Sequence, residues 1–270
     1  MTVSAPLKKL IDAAAPYWAG EAEVFRTYWN SDQRTRETDR QWLAYQCSKE
    51  VWGSGLAPAD KGIFLGPAEE LIAAFPKIDT EMDRHEVLAI AEGLRAEFAH
   101  YCAFADAYDA LALPGEPKLT PQMVKLAWKE DRELSELRFK HRRELPKLGQ
   151  RATNFTEGGY CTLFSEGMKL KNQTGGRHGR ANALIAEACA KVYDDEFGHM
   201  LKGVVGLDGD RMSPADWRLL EEMSVAQLRL RIVMRNSQFG YPLAPQRLQE
   251  LLAGAGEPVA FDYEKARLAA

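Results

Sequence analysis

Three observations predict an all-α fold. Apolar residues recur at helical spacing through most of the 270 residues, no alternation of apolar and polar residues is sustained, and a Glu-x-x-His pair occurs twice inside long helical patterns. The hydrophobic share of 46% against 27% charged residues is that of an ordinary globular chain, large enough for a substantial core. We therefore expect one domain over residues 1–270. With 39 acidic and 35 basic residues, a net charge of −4 gives no electrostatic reason to expect a nucleic-acid partner. The first residues carry neither a basic segment leading into an apolar run nor a membrane-length apolar stretch, so no membrane partner and a cytoplasmic setting are expected. Cys47, Cys102, Cys161 and Cys189 form no Cys-x-x-Cys pair and read as buried, reduced thiols.

In chain order, Leu10, Trp18, Ala22, Phe25, Tyr28 and Trp29 fit one amphipathic helix over 7–30, or two short ones broken near Pro16. Asn30-Ser31-Asp32 can cap a second helix that runs to about Trp52 and stops in Gly53-Ser54-Gly55. Residues 56–77 are interrupted by Pro58, Gly62, Gly66, Pro67 and Pro76 and read as a crossover with a short helix around 67–74. A long helix follows from Asp79, carrying Met82, Val87, Ile90, Leu94, Tyr101 and Phe104, and ends before Pro114-Gly115. Thr120-Pro121 looks like another helix start, and the charge-rich middle of that helix, Lys129 to Arg143, reads as a solvated face. Residues 152–170 predict a further helix, and the Gly-rich stretch from Gly175 to Gly179 a connector. From Ala181 a fourth long helix carries Leu184, Ala188, Val192 and Tyr193. Ser213-Pro214 opens a helix to about Ser237, and Pro245 a short one to Leu252, making a C-terminal extension over about 211–255.

The repeated pair is Glu97-Phe98-Ala99-His100 and Asp195-Glu196-Phe197-Gly198-His199. Residues three apart share a helix face, so each copy can aim a carboxylate and an imidazole at one point. Between them Glu157 lies on an apolar stripe with Tyr160, Cys161, Phe164 and Met168, and a carboxylate in that setting needs a partner or a metal. His85, His141 and His178 have no such context and read as surface histidines.

This pattern resembles the ferritin-like di-iron carboxylate superfamily, whose members take Glu-x-x-His from two helices and one Glu from each of two others. The resemblance covers about 35–205. It implies a ferritin-like four-helix bundle core with additional N-terminal and C-terminal helices. It also implies two Fe ions, with Mn or a mixed Fe/Mn pair admitted, held by Glu97, His100, Glu196, His199 and two more carboxylates. Counting back from the turn near Gln173 selects Glu157 rather than Glu166, and the apolar-face argument agrees. The same counting from Gly53 lands near Glu37, with Glu21, Glu50 and Glu69 left as alternatives. Asp195 stands where it can orient a ligand histidine, while Tyr160 and Tyr193, one turn from proposed ligands, read as pocket or packed core tyrosines.

Such a site implies an oxidase or oxygenase that activates dioxygen against a small organic substrate. An external electron donor and a homodimer are both admitted. Ferritin- or rubrerythrin-type iron oxidation or peroxide reduction is the first alternative, and a metal-free helical interaction protein, docking through Lys129–Arg143, the second. Spacing does not identify the substrate, because the same metal core serves many reactions.

Overall fold

The computed structural model describes residues 3–53, 62–126, 128–158, 162–209 and 211–258, and within these not the side chains of 62–64, 157–158, 194–202, 205 and 208–209. The described residues form ten α-helices and no strand. None of these helices is long and apolar enough to cross a membrane.

α1 (Ala5–Trp29) runs unbroken through Pro16. The missing N–H costs one hydrogen bond, but Leu7, Leu10, Trp18, Val24 and Phe25 are buried along the helix and hold it together. α2 (Arg36–Trp52) starts later than Asn30 because Thr35 forms a reciprocal cap with Thr38, and Gly53 at φ 66° ends it. α3 (Gly62–Ala74) lies in the crossover, which a 3₁₀ turn at Phe75–Lys77 closes. α4 (Arg84–Ala110) begins where the Asp83 side chain accepts the His85 N–H.

The expected helix start at Thr120-Pro121 is a correction: the chain there makes a turn, and α5 spans Lys129–Glu144. Leu119 and Val124 are buried against the core and Trp128 packs on Tyr45 with the ring centroids 4.6 Å apart, so tertiary anchors on both sides hold this segment out of a helix. Nor is α5 a wholly solvated face. Asp131, Leu134, Ser135, Arg138 and His141 are buried on one side of it, and Asp131 accepts from Lys49 of α2 at 2.7 Å. His141 is therefore a core histidine, with Nδ1 3.1 Å from Gln227 Nε2, whereas His85 is exposed and His178 half-buried.

The helix expected over 152–170 is two, α6 (Pro146–Gly158) and α7 (Thr162–Met168), followed by a 3₁₀ turn and α8 (Gly179–Val205). α9 (Pro214–Gln238) opens with a Ser213–Asp216 capping box, and α10 is Pro245–Leu252.

α4 packs between α2 and α8, and α8 packs on α6 and α7. Arg36 Nη1 donates to the Leu111 carbonyl, so the start of α2 meets the end of α4. Arg180 Nη2 donates to the Ala110 carbonyl, so α8 also starts at the end of α4 and runs antiparallel to it. Gly203 of α8 lies against the backbone of Asn154, and Gly167 against Cys189, which makes α6 and α7 antiparallel to α8. α1 and α9 are not appendages to this array. They pack on each other and reach α7 and α6 respectively. Phe239, just past α9, sits among Phe25, Tyr28, Trp29 and Trp42, with the Trp42 ring stacked on it at 4.8 Å.

Candidate metal centre

The antiparallel pairing of α2 and α4 brings the last turn of α2 to the middle of α4. Glu50, Glu97 and His100 meet there, their ligand atoms all within 4.8 Å of one another. His100 Nδ1 is 3.7 Å from Glu50 Oε2 and 4.0 Å from Glu97 Oε2. The side chains of His100 and Glu50 are 2% and 9% exposed, and that of Glu97 28%. Two carboxylates and an imidazole form a donor set that divalent iron, manganese or zinc accepts. Ligands about 2.1 Å from an ion stand about 3.0 Å apart when adjacent and about 4.2 Å apart when opposite. The two separations from His100, 3.7 and 4.0 Å, fall inside that range, and the residues can hold a single divalent ion after side-chain adjustment.

Glu50 is fixed from behind. Gln46, one turn earlier on α2, donates from Nε2 to Glu50 Oε1 at 2.5 Å. Gln46 Oε1 accepts from Arg235 Nη1 and from Gln238 Nε2, both at 3.0 Å. Arg235 in turn donates from Nε to Glu21 Oε1 at 3.0 Å, and Arg231 to Glu21 Oε2 at 2.9 Å. All of these groups are buried. Burial pushes the Glu21 carboxyl up, but Arg231 and Arg235 outweigh it and hold the group below its ordinary range. Burial, with Glu50 and Asp109 adding to it, pushes the nearby Cys47 thiol well above its ordinary value.

Two of the residues expected from sequence, Glu97 and His100, are thus brought together, and Glu37 is not. Its side chain is 67% exposed and paired with Arg36 at 2.7 Å, about 20 Å along α2 from Glu50. Of the alternatives, Glu21 is occupied by two arginines and Glu69 is exposed, which leaves Glu50. Glu166 is buried beside Lys169 at 2.5 Å and Arg26 at 3.5 Å. The carboxylate next to Glu97 was available to sequence reasoning, since Gln46 and Glu50 share the α2 face of buried Asp39, Trp42 and Leu43.

The side chains of Glu157, Asp195, Glu196 and His199 lie outside the described ones, as does Tyr160 altogether; Tyr193 is half-buried. The backbone does fix levels. Thirteen residues back from Ala110 is Glu97 and thirteen on from Arg180 is Tyr193, so, with the reach of the Arg180 side chain added, Glu196 lies within about two turns of the level of Glu97. One turn from the Asn154–Gly203 contact, residues 157 and 199 stand at about the same height on α6 and α8. No family model matches the chain, and no curated protein or solved structure matches it either.

Proposed function

We propose that the chain is a non-haem dinuclear-metal oxidase or oxygenase that activates dioxygen to oxidise a small organic substrate, built on a ferritin-like arrangement of α2, α4, α6–α7 and α8. The observation that carries this is the meeting of Glu50, Glu97 and His100 where the end of α2 packs on the middle of α4, a helix that also packs on α8. Those three would hold one ion. Glu157, Glu196 and His199, the second half of the sequence pattern, would hold the other. When bound, a pair of redox-active ions supplies the electrons and open positions with which dioxygen reacts.

The protein's own part is to hold and to exclude. The carboxylates offset most of the ionic charge in a site largely closed to water, and His100, nearly inaccessible, enters as a neutral imidazole. Glu97, the most exposed of the three, stands at the rim and marks the side open to substrate and dioxygen. No membrane span among the described residues competes with a small-molecule role in the cytoplasm.

Anaerobic reconstitution with ferrous iron tests the reading. Close to two irons per chain and oxygen consumption on exposure to air are expected, with one of the irons and the oxygen consumption lost in His100→Ala. Less than about one iron per chain in the folded protein would sink it.

A further inference from the structure

We infer that Gln46 is a positioning residue for the metal ligand Glu50, and that α9 sets its orientation through Arg235 and Gln238. Gln46 can act in this way only if Glu50 is a ligand, as proposed above.

The hydrogen bonds leave Gln46 a single orientation. Its side-chain oxygen is taken by two donors, Arg235 Nη1 and Gln238 Nε2, each at 3.0 Å. The amide of Gln238 is itself fixed, because its oxygen accepts from Arg235 Nη1 at 2.6 Å and its nitrogen faces the Trp42 carbonyl at 3.5 Å. The Gln46 NH₂ must therefore point the other way, at Glu50 Oε1. A carboxylate held by one oxygen cannot swing freely, and its second oxygen, Oε2, is the one turned to His100. Arg235 is anchored in its turn by Glu21, so the chain Glu21–Arg235–Gln46–Glu50 runs from α1 through α9 and α2 to the ion site. Partners of this kind, one bond behind a ligand, tune affinity and geometry without touching the metal.

Two substitutions separate the lost donor from an added charge. Gln46→Met keeps the volume and adds no charge, while Arg235 keeps Gln238 and Glu21 as acceptors. Gln46→Glu keeps the acceptor for Arg235 but has no N–H to give Glu50. Co²⁺ titration of the full chain, followed by visible absorption, is the measurement. Both variants are expected to bind Co²⁺ about 10- to 100-fold more weakly than wild type, with a changed absorption band and an unchanged far-ultraviolet circular dichroism spectrum. A folded Gln46→Met protein with wild-type affinity and spectrum overturns the role of Gln46 and leaves the metal site standing. A wild-type chain that binds no Co²⁺ overturns the site itself, and the role of Gln46 with it. If neither variant folds, the wild type decides by NMR: the Gln46 side-chain amide resonances shift on adding Zn²⁺, and their failure to move overturns the inference.

Discussion

The Arg36 guanidinium at the start of α2 donates to the Leu111 carbonyl just past the end of α4, at 3.2 Å. With the two helices antiparallel, that contact puts the last turn of α2 level with Glu97 and His100. Roughly the first three turns of α4 then overhang the end of α2. The long crossover makes the overhang: α3 packs on α4, and the chain re-enters well beyond the point where α2 stopped.

Glu50→Gln and Glu37→Gln should therefore differ sharply. Removing a ligand is expected to weaken Co²⁺ or Fe²⁺ binding by more than the about 10- to 100-fold that a partner behind a ligand costs. Glu37→Gln should bind as wild type and unfold at nearly the same temperature, since the Glu37 side chain is 67% exposed and its ion pair with Arg36 lies at the surface. Titration of both variants checks the choice, and equal affinities would mean that Glu50 holds no ion.

That contrast also shows what the sequence could and could not reveal. The all-α class, the extents of α1, α9 and α10, and the pairing of Glu97 with His100 follow from local rules: spacing of apolar residues, Ser213 and Pro245 at helix starts, and the i to i+3 geometry, whereas α4 starts at Arg84 rather than the expected Asp79 because Asp83 caps it. Glu50, one of the alternatives, ranked behind Glu37 because counting from Gly53 assumes that two joined helices end flush, which holds for a tight hairpin and fails across a crossover of some thirty residues. The same is true of Thr120-Pro121, where the cap residues are right but buried Leu119, Val124 and Trp128 hold the chain in a turn. His141 and Arg138 looked solvated because α5 is rich in charge, yet their partners, Gln227 and Thr156, come from α9 and α6 and have no local trace.

Glu21 is the charge on which the α1–α9 contact depends. Glu21→Gln removes the carboxylate shared by buried Arg231 and Arg235, and is expected to cost about 3–5 kcal/mol in denaturant unfolding. Its carboxyl lies below the ordinary 4.5 in the folded chain. The stability it confers is thus complete above 4.5 and lost as the pH falls through the lower folded value. Wild-type stability should drop on that acid limb and the variant's should drop less; parallel acid limbs would contradict the pairing.

His141 gives a second pH dependence, in a different window. Gln227 Oε1 accepts from Thr156 at 2.7 Å, so its NH₂ faces His141 Nδ1, which must be unprotonated to receive it. Burial, more than the mixed charges around it, holds the imidazole below its ordinary 6.5. The unfolded chain takes up the proton first, so stability is full above 6.5 and declines as the pH falls below it. His141→Gln keeps an acceptor for Gln227 and cannot titrate; its unfolding free energy should change less than wild type's between about pH 7 and 5. An unchanged pH profile would show that His141 charges freely in the folded state.

The level of the second half of the site is open to a test that changes no ligand. At Gly203 an added methyl would lie 2.6 Å from the Asn154 carbonyl oxygen and 2.9 Å from its carbon. Those are backbone atoms, and a backbone cannot turn aside as a side chain can, so Gly203→Ala must push α8 from α6. Overpacking of this kind costs about 1–3 kcal/mol. If Glu157 and His199, one turn away on the same two helices, share an ion, the same displacement separates them. Gly203→Ala should then retain about one iron per chain at Glu50, Glu97 and His100 and lose the other, with oxygen consumption lost while the helical content persists. Two irons bound as in wild type, in a protein destabilised by the expected amount, would mean that α6 and α8 do not hold an ion between them.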